Sequence, residues 1–128
     1  MNNMIKQTFD VDGYWEVVVF WNLDYHFFSD VELELRMIGF TGAAVEEVRN
    51  SMESGEAKAV TCSHQHTSVV LFNKHDSTAD YISSIVHEAE HIKQAILDTY
   101  DVEDRGEAPA YTIGYIVSRM YDTFSKFI

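Results

Sequence analysis

The sequence predicts an α+β fold: a small, three-stranded, mostly antiparallel sheet carrying helices, in a single domain over residues 1–128. Three observations point there. Residues 14–21, 57–63 and 67–72 form runs with the composition of strands. The last two runs are only a few residues apart and read as a hairpin. Four further stretches carry helix caps, helical apolar spacing, or both.

The elements follow in the order β-α-α-β-β-α-α. The first strand, Tyr14-Trp15-Glu16-Val17-Val18-Val19-Phe20-Trp21, follows the turn-like Asp12-Gly13. Its apolar residues are consecutive, so burial on both faces is expected for most of its length. Ser29-Asp30-Val31-Glu32 is a capping-box pattern, predicting a short helix from Asp30 to Ile38 that ends at Gly39. The same stretch alternates at Val31, Leu33, Leu35 and Met37, so periodicity alone leaves a strand open there. Thr41 caps a second helix, roughly 42–52, with Val45, Val48 and Met52 on one face and Gly55 closing it. Beyond the hairpin, Asp76-Ser77-Thr78 opens a long helix through about Tyr100. The acidic loop 101–106 then leads to a last helix, about 107–127, with Pro109 in the first turn, where proline is tolerated.

The chain has 128 residues, 46% of them hydrophobic, which suits one compact core and not a disordered tail. Nine Lys and Arg stand against 21 Asp and Glu, giving a formal net charge of -12. A phosphate backbone or an anionic membrane is repelled by that surface, so neither nucleic acid nor membrane is expected as a partner, whereas cations are. A single cysteine, Cys62, rules out an intrachain disulfide. The first ten residues lack the apolar segment of a secretory signal, and no apolar stretch approaches a membrane span. A cytoplasmic location is the expectation.

The chemical centre is His87-Glu88-Ala89-Glu90-His91, the HExxH zinc-peptidase motif, inside the long helix. Residues i and i+4 share one helix face, so two imidazoles can hold one Zn²⁺. The glutamate beside the first histidine lies about 100° round the helix, within reach of a zinc-bound water as general base. Ile82, Ile85, Ala89, Ile92 and Ile96 form a core stripe, with Glu88 at its border and His91 and His87 successively further round.

Catalytic zinc sites use three protein ligands and keep one position open for water. Glu107, 16 residues after His91, is the expected third ligand. Nine more helical residues carry the chain roughly 13 Å past His91, and the loop back can span at most about 23–25 Å. Glu103 or Asp104 would serve if the helix ended sooner. Gly114 follows two turns after Glu107, where a missing side chain would let the two helices approach closely.

These residues resemble a family of small gluzincin-like HExxH proteins encoded by phages and prophages of gut bacteria and described as metallopeptidases. The matching stretches are residues 29–39, Ser68-Val69-Val70-Leu71-Phe72, Ser84-Ile85-Val86-His87-Glu88-Ala89-Glu90-His91-Ile92, and Gly106-Glu107-Ala108-Pro109-Ala110-Tyr111-Thr112-Ile113-Gly114-Tyr115. Together they lie within about the last hundred residues. The resemblance implies a zincin-like fold in a bacterial host's cytoplasm, with a ligand-bearing helix antiparallel to the HExxH helix. It implies one Zn²⁺ on His87, His91 and Glu107, with Glu88 as the base. It also favours the helix over the strand at 30–38.

Other residues carry weaker expectations. Tyr111, one turn after Glu107, is a candidate oxyanion donor or a helix-packing residue. Tyr115 reads as packing. His64 and His66 alternate at the hairpin turn and read as exposed loop residues, although one of them or His75 could reach over the cleft. Cys62 reads as an apolar filler. The expected activity is hydrolysis of a peptide or protein substrate lying along an edge strand at 67–72. The competing expectation is a non-enzymatic phage or prophage protein on the same scaffold, with its metal structural or absent. Neither substrate preference nor oligomeric state is legible.

Overall fold

A computed structural model describes residues 4–128. Its elements are β1 (Ile5–Val11), β2 (Trp15–Trp21), α1 (Phe28–Met37), α2 (Gly42–Glu53), β3 (Ala59–His64), β4 (Thr67–Phe72), α3 (Thr78–Tyr100) and α4 (Glu107–Phe124). A 3-10 turn, Tyr25–Phe27, precedes α1 and is capped by the Asp24 carboxylate, which accepts from the His26 N–H. The fold is α+β, as expected.

The sheet has four strands, not three, in the order β1-β2-β4-β3. The additional strand is β1. Its apolar residues Ile5, Phe9 and Val11 fall on alternate positions among Lys6, Thr8 and Asp10, a half-buried pattern. Two antiparallel hairpins, β1–β2 and β3–β4, meet along a parallel β2–β4 pair. This arrangement corrects the expectation for residues 67–72. Strand β4 is bonded on both sides and is not an edge; the edge beside α3 is β3.

Helices cover both faces of the sheet. Val17, Val19, Trp21, Val70 and Phe72 pack against α3 and α4 through Ile85, Ala89, Ile92, Ile116 and Met120. Val18, Phe20, Val69 and Leu71 pack on the other side against α1 and α2, with Val31, Leu35 and Val45. A strand between two helical layers buries both its faces, which is why β2 from Val17 and β4 from Val69 read as unbroken apolar runs.

The stretch expected as a helix from Asp30 is helical through Met37, with Ile38 its C-cap. Helix α1 starts two residues earlier than the capping box suggests, and its N-cap Phe27 offers no side-chain bond. Gly39, at φ 105°, ends the helix in a backbone conformation that suits glycine. Thr41 caps α2 as predicted, accepting from the Ala44 N–H.

Helices α3 and α4 run antiparallel. Tyr81, early in α3, packs on Phe124 and Phe127, while Ile96, Leu97 and Tyr100 share a groove with Ala108 and Thr112 at the start of α4. Gly114 plays no part in this seam. A Cβ built on it would meet nothing within 4 Å, so close helix approach does not explain it.

Candidate metal centre

Helix α3 is entered through a cap: the Ser77 hydroxyl accepts from the Asp80 N–H. Tyr81, Ile85, Ala89, Ile92 and Ile96 then face the core, whereas Ile82, expected in this stripe, is largely exposed. Glu88 is only 3% exposed. Its carboxylate accepts a 2.8 Å bond from the Thr61 hydroxyl on β3. That hydrogen bond, with the packing of Ala59 on the core beside Ile85 and Ala89, ties the motif helix to the sheet edge.

His87 and His91 both stand in solvent, further round the helix. Their Nε2 atoms are 3.2 Å apart, and the rings meet edge to face at 4.8 Å. Two nitrogens bound at about 2.0–2.1 Å to one tetrahedral zinc are about 3.3–3.4 Å apart. The pair therefore has the spacing of two ligands on one ion.

Glu107 does not join them. Among the described residues no group of three or more His, Cys, Asp or Glu is arranged to hold a metal. Buried Lys93 bonds Glu90 at 2.7 Å and Asp104 at 3.0 Å, which ties the 101–106 loop to its own flank of α3. At 100° per residue Lys93 points about 160° away from His91. The chain thus enters α4 on the flank opposite the histidines. Glu107 is exposed there, with no hydrogen-bond or ion-pair partner among the described residues. Of the alternatives, Asp104 is held by Lys93, and Glu103 pairs with Arg105 at 2.7 Å. The hydrogen bonds that Lys93 donates to Glu90, then to Asp104, raise its pKa against the opposing effect of burial. Tyr111 is 67% exposed, so it does not pack between the helices.

A cleft beside the motif is lined by Lys58, Ala59, Ser83, Ser84, His87 and Glu88. Its upper wall is the β3 edge. The Lys58 carbonyl accepts from the Asn73 N–H, so Val60, Cys62 and His64 bond towards β4. The N–H and C=O groups of Ala59, Thr61 and Ser63 therefore point to the open side.

Three further histidines, His64, His66 and His75, make hydrogen bonds of their own away from the pair. His64 Nδ1 bonds the Ile38 carbonyl, and His66 Nδ1 bonds the Tyr100 hydroxyl. His75 is buried and bonded through both ring nitrogens, to Asn73 O and Ser84 Oγ. Tyr115 packs on the core and donates to the Asp10 carbonyl. Cys62 is buried, and burial, then the nearby Glu88 charge, pushes its thiol up to about 11.

Sequence reasoning missed Thr61 and Ser84. Ser84 precedes Glu88 by four residues, a spacing that already placed it on the same helix face. Nothing local in the sequence pairs Thr61 with Glu88. Comparison with protein-family models, curated proteins and solved structures finds no match for this chain.

Proposed function

We propose that this chain is a zinc-dependent metallopeptidase of a minimal, zincin-like kind, akin to small phage and prophage HExxH proteins. The observation that carries the reading is the 3.2 Å separation of His87 and His91 Nε2, beside a buried glutamate at the rim of a cleft. These two histidines fit two corners of a tetrahedral site. Glu107 is the proposed third ligand: its carboxylate is exposed and unpaired among the described residues. His87 and His91 are the proposed first two ligands, and Glu107, on the opposite flank of α3, joins them only if the start of α4 moves. When bound, zinc would supply a polarised water and a Lewis acid for the scissile carbonyl.

The chain's own groups do the remainder. Glu88 accepts a proton at its carboxylate and passes it on, oriented by the Thr61 hydroxyl. The outward amides and carbonyls of Ala59, Thr61 and Ser63 bind an extended peptide as an added strand, which holds its backbone over the motif. The substrate edge is therefore β3. The absence of a third grouped ligand among the described residues favours a second reading, a non-enzymatic scaffold whose metal is structural or missing.

Metal content and titration with zinc test the proposal. One zinc per chain is expected, and zinc well below that, with no uptake on addition, overturns it. Glu88→Gln should keep the ion and lose hydrolysis of a protein substrate by about 100-fold or more. His91→Ala should lose both. Glu107→Gln should weaken zinc binding by at least about 10-fold; unchanged affinity removes Glu107 from the site and leaves the histidine pair.

A further inference from the structure

We propose that the same cleft holds a second reactive group: Ser84 is a nucleophile, with His75 as its base. The inference is independent of zinc. His75 Nδ1 lies 2.7 Å from the Asn73 carbonyl, which can only accept, so Nδ1 carries the proton. In the neutral ring, Nε2 is then bare, and it sits 2.7 Å from Ser84 Oγ. The serine hydroxyl therefore donates to the imidazole, and its lone pairs are left for the cleft that it lines.

This is the constellation of a nucleophile, a base and a group that orients the base. The orienting group is itself fixed. The Asn73 side chain donates to the Met52 and Ala57 carbonyls and accepts from the Tyr25 hydroxyl. The imidazole is 8% exposed and stacks on the Tyr81 ring at 4.6 Å. Both base and orienting carbonyl are thus held before any substrate arrives. Lys58 lines the same cleft and supplies a positive charge for an oxyanion.

The chemistry is acyl or phosphonyl transfer from an activated electrophile. Ser84 Oγ forms a bond to the carbonyl carbon or phosphorus, its proton passes to His75 Nε2, and the bond to the leaving group breaks. With a fluorophosphonate probe the leaving group is fluoride.

The test exposes folded, chelator-treated protein to a fluorophosphonate probe and locates the adduct by mass spectrometry. One adduct is expected, on Ser84, with the same yield after zinc is restored. Ser84→Ala should give none, and His75→Gln should label about 100-fold more slowly or worse. Because His75 is buried, that variant can misfold, so a second measurement uses Ser84→Cys. Its new thiol should take iodoacetamide at least about 10-fold faster than a cysteine in an unstructured peptide. Cys62, buried and with its thiol raised to about 11, gives no background. An unlabelled Ser84 in folded protein, an adduct on Ser83 instead, or an unactivated thiol at position 84 each overturns the proposal. None of these outcomes touches the zinc reading, since the protein tested is metal-free.

Discussion

The two sides of α3 are made for different ends. Ile85, Ala89, Ile92 and Ile96 are sealed against the sheet and α4, with Ile92 wholly buried. One or two residues away, His87 and His91 stand in solvent and touch each other instead of the core. Glu88 lies at the seam between these sides, buried like the first and polar like the second. A helix that is rigid on one side carries its outward side chains on a fixed frame, so substitutions on the two sides draw on different residues.

Substitutions sharpen this contrast. The largest effect on the fold is expected at the sealed side: Ile92→Ala should cost about 2–5 kcal/mol in urea unfolding, as a buried aliphatic side chain leaves a cavity. At the seam, Thr61→Val removes the one donor to Glu88 among the described residues and should cost about 1–3 kcal/mol, the usual penalty for an orphaned buried acceptor. At the open side, His87→Ala should change metal-free stability by no more than about 0.5 kcal/mol. A large loss there would break the contrast. The seam also carries a pH signature through Cys62. Its thiol is raised in the fold from 9.0 to about 11, so the folded state holds that proton more tightly than the unfolded chain. The resulting stability is complete below about pH 9 and is lost as pH climbs to about 11. The urea midpoint of the natural protein should fall more steeply over that range than that of Cys62→Ala.

Strong local signals in the sequence located most of the fold. The unbroken apolar run of β2, the Thr41 cap of α2 and the helical stripe of α3 all hold in the structure. Strand β1 was missed because Gln7 puts a polar residue on its inward face, and only its pairing with β2 reveals it. Taking β4 for an edge was a failure of topology: no local pattern says that β2 would pair with β4 in parallel and leave β3 outside. The site divides the same way. His87, Glu88 and His91 lie within five residues, so helix geometry alone places them. Glu107 depends on which flank the 101–106 loop takes, and the Lys93–Asp104 pair that holds the loop there is a tertiary contact.

The parallel seam between the hairpins also bears on how the chain folds. Each hairpin is local: β1 and β2 are joined by a tight turn, and β3 and β4 by Gln65 and His66 alone. Joining them brings Val18 to Val69, across the whole of α1, α2 and β3. Hairpins form in roughly 1–10 μs, whereas long-range pairing must first meet the entropy of closing the chain between them. The β2–β4 contact should therefore set the folding rate. In stopped-flow refolding, Val18→Ala and Val69→Ala should slow folding, while Ile116→Ala, in α4 and away from that seam, should mainly speed unfolding.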